Sequence, residues 1–209
     1  MASIAKEAGL SMGSIYKHIQ SKEDVLVALA TKMNENLVAV LVKVLELPLT
    51  MPERLLAFSL MSPEKYRLYP FDEHLEMLIG NEAILKRASR GWVEKVMRID
   101  QSFEEYFVAL VCRRVEDGEL KVALADRDDV LEEILVSIWA MNVGYNQVVF
   151  QRHARSLVGE PIALPFPLAP NDHFVNAVRR LLNTYPWREP ISDEGVKKTC
   201  QLLEQHGLR

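Results

Sequence analysis

Cysteine is scarce in this chain of 209 residues: the two present, Cys112 and Cys200, stand far apart in segments with helical periodicity. This excludes a disulfide scaffold and indicates reduced thiols, as in a cytoplasmic protein. No run of 18 or more uncharged apolar residues occurs, and the amino-terminal residues lack the basic-then-apolar pattern of a signal peptide. We therefore expect no membrane span.

Excess charge of one sign is also missing, because 25 basic and 29 acidic residues give a formal net charge of −4. This balance excludes a general polyanion binder, so any contact with nucleic acid must be local. Disorder is excluded as well, since 49% of the residues are hydrophobic and the chain is long enough to bury a full core.

Alternating patterns typical of β-strands are absent, and helical periodicity predicts an all-α fold. The predicted helices cover residues 2–8, 12–19, 22–46, 52–61, 63–69, 71–80, 82–89, 91–117, 127–153, 171–184 and 192–206. The predicted start signals are Ser62-Pro63, Asn171-Asp172 and Ser192-Asp193, and the predicted stops are Gly118 and Gly207. The helix after Gly91 carries one apolar stripe, formed by Trp92, Val96, Ile99, Phe103, Phe107 and Leu110. Residues 1–46 form the predicted amino-terminal domain, and residues 47–209 form the carboxy-terminal domain, with the division falling at the third helix. The long irregular stretch 154–170 is either a lid or subunit crossover, or an exposed connection.

Residues 4–26 have the pattern of a helix-turn-helix, two short helices joined by a tight turn. Ala5 is small where the two backbones approach, and Gly9 tolerates the positive φ that the turn requires. Ser11 is the predicted N-cap of the second helix. Apolar residues expected to tie the helices together are Ile4, Ala8, Leu10, Ile15 and Ile19. The second helix spans about 12 Å at the standard rise and could enter a major groove end-first.

Hydroxyl and basic side chains dominate the outward surface of this unit. They are Ser14, Tyr16, Lys17, His18 and Lys22. Lys22 lies in the first turn of its helix, where free N–H groups favour a phosphate oxygen. Residues 1–35 nevertheless carry four lysines and four acidic residues, a net charge of zero. Composition alone therefore favours ordinary solvated charges over a nucleic-acid surface.

The residues themselves resemble the signature of the TetR family of transcriptional regulators. The matching pieces are Ile4-Ala5, Ala8-Gly9, Leu10-Ser11, Gly13-Ser14-Ile15-Tyr16, His18-Ile19 and Ser21-Lys22-Glu23. The resemblance covers about 25 residues. It implies a homodimeric repressor with a helix-turn-helix that binds operator DNA and a larger helical domain that holds a small-molecule inducer.

Carried over by position, the resemblance assigns DNA contacts to individual residues. Ser11, Met12 and Ser14 would face base edges or the nearby backbone. Tyr16, Lys17, His18 and Lys22 would mostly hold phosphates, which fix register without specifying sequence.

Two departures from the family pattern stand out. Ile19 replaces the usual aromatic residue, an apolar exchange that the core can tolerate. Family members also have a further helix before this motif, whereas the sequence begins at its edge. We therefore expect weak operator binding and mobile residues 1–20. The alternative function is a DNA-incompetent protein that binds a small molecule or dimerises.

The carboxy-terminal domain has no motif of its own. Residues 134–150 are apolar at 12 of 17 positions, so this helix must be covered on several sides, including by a second subunit. Asn142 and Asn146 lie on one face with Trp139, and their amides need a partner: a ligand, a neighbouring helix or the other protomer. Trp92 and Met77 are further pocket candidates, although such residues at helical spacing are more often plain core.

Signals for catalysis or metal binding are weak. None of the five histidines forms an i, i+4 pair, and neither cysteine has a nearby histidine. No paired acid and base, phosphate loop or triad spacing is visible, and Cys112 is more typical of a packed thiol than of a nucleophile. We expect a protein without catalytic residues, metal or cofactor.

Overall fold

A computed structural model describes residues 1–123 and 125–209. Within these residues the chain forms eleven α-helices and one short 3₁₀ helix, with no β-strand, so the all-α prediction is confirmed. The helices are α1 (Ala2–Glu7), α2 (Met12–Tyr16), α3 (Lys22–Leu45), α4 (Met51–Leu60), α5 (Pro63–Tyr66), α6 (Asp72–Ile79), α7 (Glu82–Leu85), α8 (Arg90–Glu116), α9 (Arg127–Ala154), α10 (His173–Leu182) and α11 (Asp193–Gln205). The 3₁₀ helix is Arg155–Leu157, and the irregular stretch after it agrees with the prediction.

The chain divides into two compact units that do not follow a single cut in the sequence. The first contains Met1–Val38 and Arg67–Glu104, and the second contains Ala39–Tyr66 and Glu105–Arg209. Within α3 the division falls between Val38 and Ala39. Residues 67–104, however, belong with the amino-terminal helices rather than with the carboxy-terminal domain to which the sequence analysis assigned them. Local periodicity carries no information on such long-range packing.

Most helices begin at the predicted residues, but α2 ends at Tyr16, three residues before the predicted end at residue 19. The side chains of Ser11, Asp172 and Ser192 cap α2, α10 and α11 by accepting backbone N–H groups. Gly118 and Gly207 each lie two residues beyond the end of a helix, α8 and α11, and both have the positive φ typical of a glycine that terminates a helix. Capping is a local interaction, which explains why the sequence predicts it well.

Helix α5 ends at Tyr66, earlier than the predicted residue 69. The carboxylate of Asp72 accepts hydrogen bonds from the backbone N–H groups of Leu68 (2.8 Å) and Tyr69 (3.0 Å). These bonds hold the segment in a turn, and Pro70 cannot continue a helix. A side chain from the next helix thus decides where this one stops.

The first unit is organised around α3. Ala30 and Met33 of α3 and Leu75 of α6 are buried in one apolar cluster. Two polar contacts join α3 to α8: the side-chain amide of Asn34 on α3 donates to Asp100 on α8 at 2.9 Å, and Glu35 on α3 lies 3.2 Å from Lys95 on α8. By length and composition alone, α3 is the one helix among the described residues that could cross a membrane, a criterion that core helices of soluble proteins also meet.

Helix α4 lies at the centre of the second unit and packs against α9, α10 and α11. Leu55, Leu56, Ala57 and Leu60 are fully buried. Glu53 accepts a hydrogen bond from the backbone N–H of Thr50 at 3.0 Å, which fixes the start of the helix. Eight of the ten residues of α4 are buried, so neighbouring helices cover it on several sides.

We expect Leu56→Ala to destabilise the second unit by about 2–5 kcal/mol, because the substitution leaves a cavity in a site with no exposed surface. Chemical denaturation followed by circular dichroism would measure the loss in the free energy of unfolding. Val158→Ala is the matched control, since Val158 is 94% exposed. Equal stability of the two variants would show that α4 is not the core of its unit.

Candidate nucleic-acid interface

Helices α1 and α2 are joined by the turn that the sequence predicts. Gly9 has a φ of 65°, and the backbone N–H of Leu10 donates to the carbonyl of Ala5 at 2.9 Å. Ala5 and Ile15 are buried, with 4% and 8% of their surfaces exposed. These two side chains, one on each helix, anchor the pair.

The other apolar residues of the motif do not all serve this purpose. Ile4 and Leu10 are 43% and 53% exposed, Ala8 is exposed, and Ile19 is half-buried. The prediction that Ile4, Ala8 and Leu10 tie α2 to α1 is therefore wrong. The turn and the buried pair Ala5 and Ile15 carry that role, because α2 is only five residues long and presents few side chains to α1.

The outward surface of α2 and of the turn that follows it carries nearly all of the predicted DNA-contacting residues. The exposed ones are Ser11, Met12, Tyr16, Lys17, His18 and Lys22. Ser14 is half-buried, and its hydroxyl lies 2.9 Å from that of Ser11. The Ser11 hydroxyl also accepts from the backbone N–H of Ser14 at 3.1 Å. Ser11 therefore has a structural role as the N-cap, as the sequence predicts.

The start of α3 is held by a buried carboxylate. Ser21 accepts from the backbone N–H of Asp24 at 3.0 Å, and Asp24 accepts from the backbone N–H of Gln20 at 2.7 Å. Asp24 is fully buried, and Ser89, directly before α8, donates to it through its backbone N–H (2.6 Å) and its hydroxyl (2.7 Å). The carboxylate thus joins the α2–α3 turn to the first residues of α8.

These contacts set the charge of Asp24. Burial alone would raise the pKa of Asp24, but the hydrogen bonds from the backbone and hydroxyl of Ser89 and from the backbone of Gln20 outweigh it. They hold the pKa below its ordinary value of 3.8. Asp24 is therefore ionised at neutral pH.

Trp92 provides a second connection between α8 and the turn. Its indole N–H donates to the backbone carbonyl of His18 at 2.8 Å, just beyond the end of α2. Carbonyls at a helix end lack partners within the helix, so the indole satisfies one of them. The Lys95 ammonium lies 5.6 Å from the centre of the Trp92 ring. Trp92 thus contacts the candidate DNA-binding segment, a role that the pocket prediction did not give it.

The five predicted pocket residues do not come together in one unit. Met77 and Trp92 belong to the first unit, whereas Trp139, Asn142 and Asn146 belong to the second. Met77 is 50% exposed and Trp139 is 65% exposed, so neither is enclosed by its own unit. Both lie on the outer side of helices whose opposite faces supply the core.

The side-chain amide of Asn142 is hydrogen-bonded to a neighbouring helix, as one of the three alternatives for its partner required. Its amide oxygen accepts from the Ser59 hydroxyl of α4 at 2.9 Å, and its amide N–H group donates to the carbonyl of Ile138 at 2.9 Å. This pair provides a polar link between α4 and α9. Asn146 is half-buried one turn further along α9.

Sequence reasoning missed the contributions of Ser89 and Trp92 to the site. They lie 65 and 74 residues from their partners Asp24 and His18, so no local spacing marks them. A fully buried aspartate at a helix start does imply distant donors, because an ionised carboxylate needs several hydrogen bonds. No cluster of three or more potential metal ligands occurs in residues 1–123 and 125–209.

Comparison with known proteins returns no family model, no curated protein and no solved structure that matches this chain.

We expect Asp24→Asn to destabilise the first unit by about 1–3 kcal/mol at neutral pH, because an amide replaces an oxygen that accepts buried hydrogen bonds. The folded pKa of Asp24 is depressed, so its stabilisation is complete above the unfolded value of 3.8 and is lost as the pH falls through the folded pKa. Urea denaturation at a series of pH values should show the difference between wild type and variant shrinking in acid. A difference that stays constant with pH would contradict an ionised Asp24.

Proposed function

We propose that this protein is a ligand-responsive transcriptional repressor that binds operator DNA as a homodimer. The observation that carries the proposal is the exposed face of α2, a short helix held by a glycine turn and the anchor Ile15, next to the exposed Lys22. A helix of this length fits a major groove, and the surrounding hydroxyl and basic groups suit phosphates and base edges. The resemblance of residues 4–26 to the TetR signature supports the same function.

Within this proposal, the exposed side chains divide into two groups. Lys17, His18, Lys22 and the Tyr16 hydroxyl hold phosphates, since basic and hydroxyl groups bind phosphate oxygens. Near Lys22, the free N–H groups at the start of α3 add to this attraction. The Lys22 side chain is 84% exposed, and its ion pair with Glu23 is long at 4.0 Å, so it is available to DNA. Ser11, Met12 and Ser14, at the start of α2, face the bases.

The homodimer part of the proposal is supported by an uncovered apolar face on α9. Val136 and Trp139, three residues apart on one side of the helix, are 49% and 65% exposed, whereas Leu131, Ile134 and Ile138 on the other side are buried. A second copy that covers this face would remove large apolar side chains from water. Two α2 helices would then meet half-sites roughly 34–36 Å apart.

The inducer part of the proposal rests on the resemblance. A ligand weakens operator binding only by the difference between its affinities for the two dimer geometries. Mass spectrometry of small molecules retained by the purified protein, followed by DNA binding in their presence, tests this part. Such a repressor acts in the cytoplasm, where its cysteines stay reduced; burial raises the pKa of the Cys200 thiol and keeps it protonated.

Selection of bound duplexes from a random library, at low salt, tests DNA binding by the chain itself. We expect Lys22→Ala to weaken binding to all selected sequences alike, because a phosphate contact carries no sequence information. We expect Ser14→Ala to change the ranking of sequences instead. The N-cap survives that change, since it uses the backbone N–H of residue 14. Affinities would be measured by fluorescence anisotropy.

The control for these variants is Lys197→Ala, which removes an exposed lysine of α11 in the other unit. An unchanged ranking for Ser14→Ala would contradict the base-facing role of Ser14. If the wild-type chain binds no duplex at any salt concentration, the repressor proposal is wrong and the dimerisation protein is favoured.

We expect Trp139→Arg to convert the dimer to monomers, because the substitution buries a charge in the apolar contact. Sedimentation analysis over a range of protein concentrations measures the association. Met77→Arg is the matched control, since Met77 is also half exposed but lies in the first unit. A wild-type protein that stays monomeric, or a variant that still dimerises, would rule out this interface.

A further inference from the structure

The segment that leads into α8 is strongly basic. Residues 86–98 contain five cations, Lys86, Arg87, Arg90, Lys95 and Arg98, and a single carboxylate, Glu94. By contrast, residues 1–35 have no net charge. The helix-turn-helix therefore lacks the charge excess that binding to a duplex ordinarily requires, and a neighbouring basic segment could provide it.

The structure fixes this basic segment beside the helix-turn-helix. Ser89 donates twice to the buried Asp24, and Trp92 donates to the carbonyl of His18. The two contacts lie on either side of Arg90 in sequence. The backbone from residue 89 to residue 92 is thus held against the α2–α3 turn, which carries Lys17, His18 and Lys22.

Arg87 and Lys22 meet at one carboxylate. The Arg87 guanidinium lies 3.9 Å from Oε1 of Glu23, and the Lys22 ammonium lies 4.0 Å from the same oxygen. The side chains of Arg87 and Lys22 are 72% and 84% exposed. A phosphate strand that reaches Lys22 therefore passes next to Arg87.

Arg90 is even more exposed, with 92% of its side chain open to solvent, and it is paired with Glu94 one turn further along α8. Such exposed ion pairs contribute about 0–1 kcal/mol, so a phosphate can replace the carboxylate at little cost. Arginine is well suited to that exchange, because its planar guanidinium binds phosphate oxygens in a bidentate manner.

We propose that Arg87 and Arg90 form a second phosphate-binding element, which contacts the duplex backbone beyond the phosphates held by Lys22. This inference rests on the proposed DNA-binding function and extends the interface to residues far from the helix-turn-helix in sequence. The element neutralises backbone charge and does not distinguish base sequences. It supplies the positive charge that residues 1–35 lack.

The test measures how the affinity of the full chain for a short mixed-sequence duplex depends on salt, over about 50 to 200 mM. Each lost phosphate contact should reduce the slope of log K against log salt by about 0.9. We expect this reduction for Arg87→Ala and for Arg90→Ala, and twice the reduction for the double variant. The affinity should fall by the same factor for every duplex sequence.

Two further variants make the result specific. Replacing both arginines by lysine keeps the positive charges and should keep the wild-type slope, whereas Lys197→Ala should leave both slope and affinity unchanged. Because Arg87 and Arg90 are exposed, the variants should keep the wild-type circular dichroism and melting temperature.

The outcomes separate this inference from the function on which it rests. Duplex binding by wild type with an unaltered slope in both alanine variants overturns the second phosphate-binding element alone. Absence of duplex binding by wild type overturns the repressor proposal and this inference together. A change in sequence ranking for the alanine variants would overturn the assignment to phosphates.

Discussion

The buried carboxylate of Asp24 is the constraint on which the candidate DNA-binding surface depends. An ionised group without solvent must be surrounded by donors, and Asp24 finds them in Gln20 on one side and Ser89 on the other. Asp24 thereby joins three features: the turn between α2 and α3, the start of α3 and the residue directly before α8. These bonds fix the turn that follows α2 against the residue before α8, and the opposite face of α2 stays exposed to solvent.

Helix ends and periodic faces could be predicted from the sequence, because both arise from neighbouring residues. The N-caps Ser11 and Ser192 were predicted and are present, and so is the buried stripe of α8, with Val96 and Phe107 at its centre. Ile4 and Leu10 were expected to pack between α1 and α2, but both are exposed. A pattern of apolar residues marks a face, but it does not say whether another element covers that face.

Trp92 shows the same limit in a single side chain. Its position in the apolar stripe of α8 suggests a core or pocket residue, and its ring is indeed half-buried. The indole N–H, however, requires an acceptor, and the nearest orphan carbonyl is that of His18, 74 residues away. A polar atom on an apolar residue thus determines a contact that hydrophobic periodicity cannot reveal. The grouping of residues 67–104 with the amino-terminal helices likewise depends on contacts between residues distant in sequence, which no local pattern indicates.

Two long helices fix the position of α2 within the first unit. The starts of α3, at Lys22, and of α8, at Arg90, both lie in that unit. Asp24, Ser89 and Trp92 join these starts to the α2–α3 turn. Because the turn is bonded to both helices, α2 cannot shift relative to either of them without leaving buried polar groups unsatisfied, which costs about 1–3 kcal/mol for each group. The position of the exposed face of α2 therefore depends on residues that lie far from it in sequence.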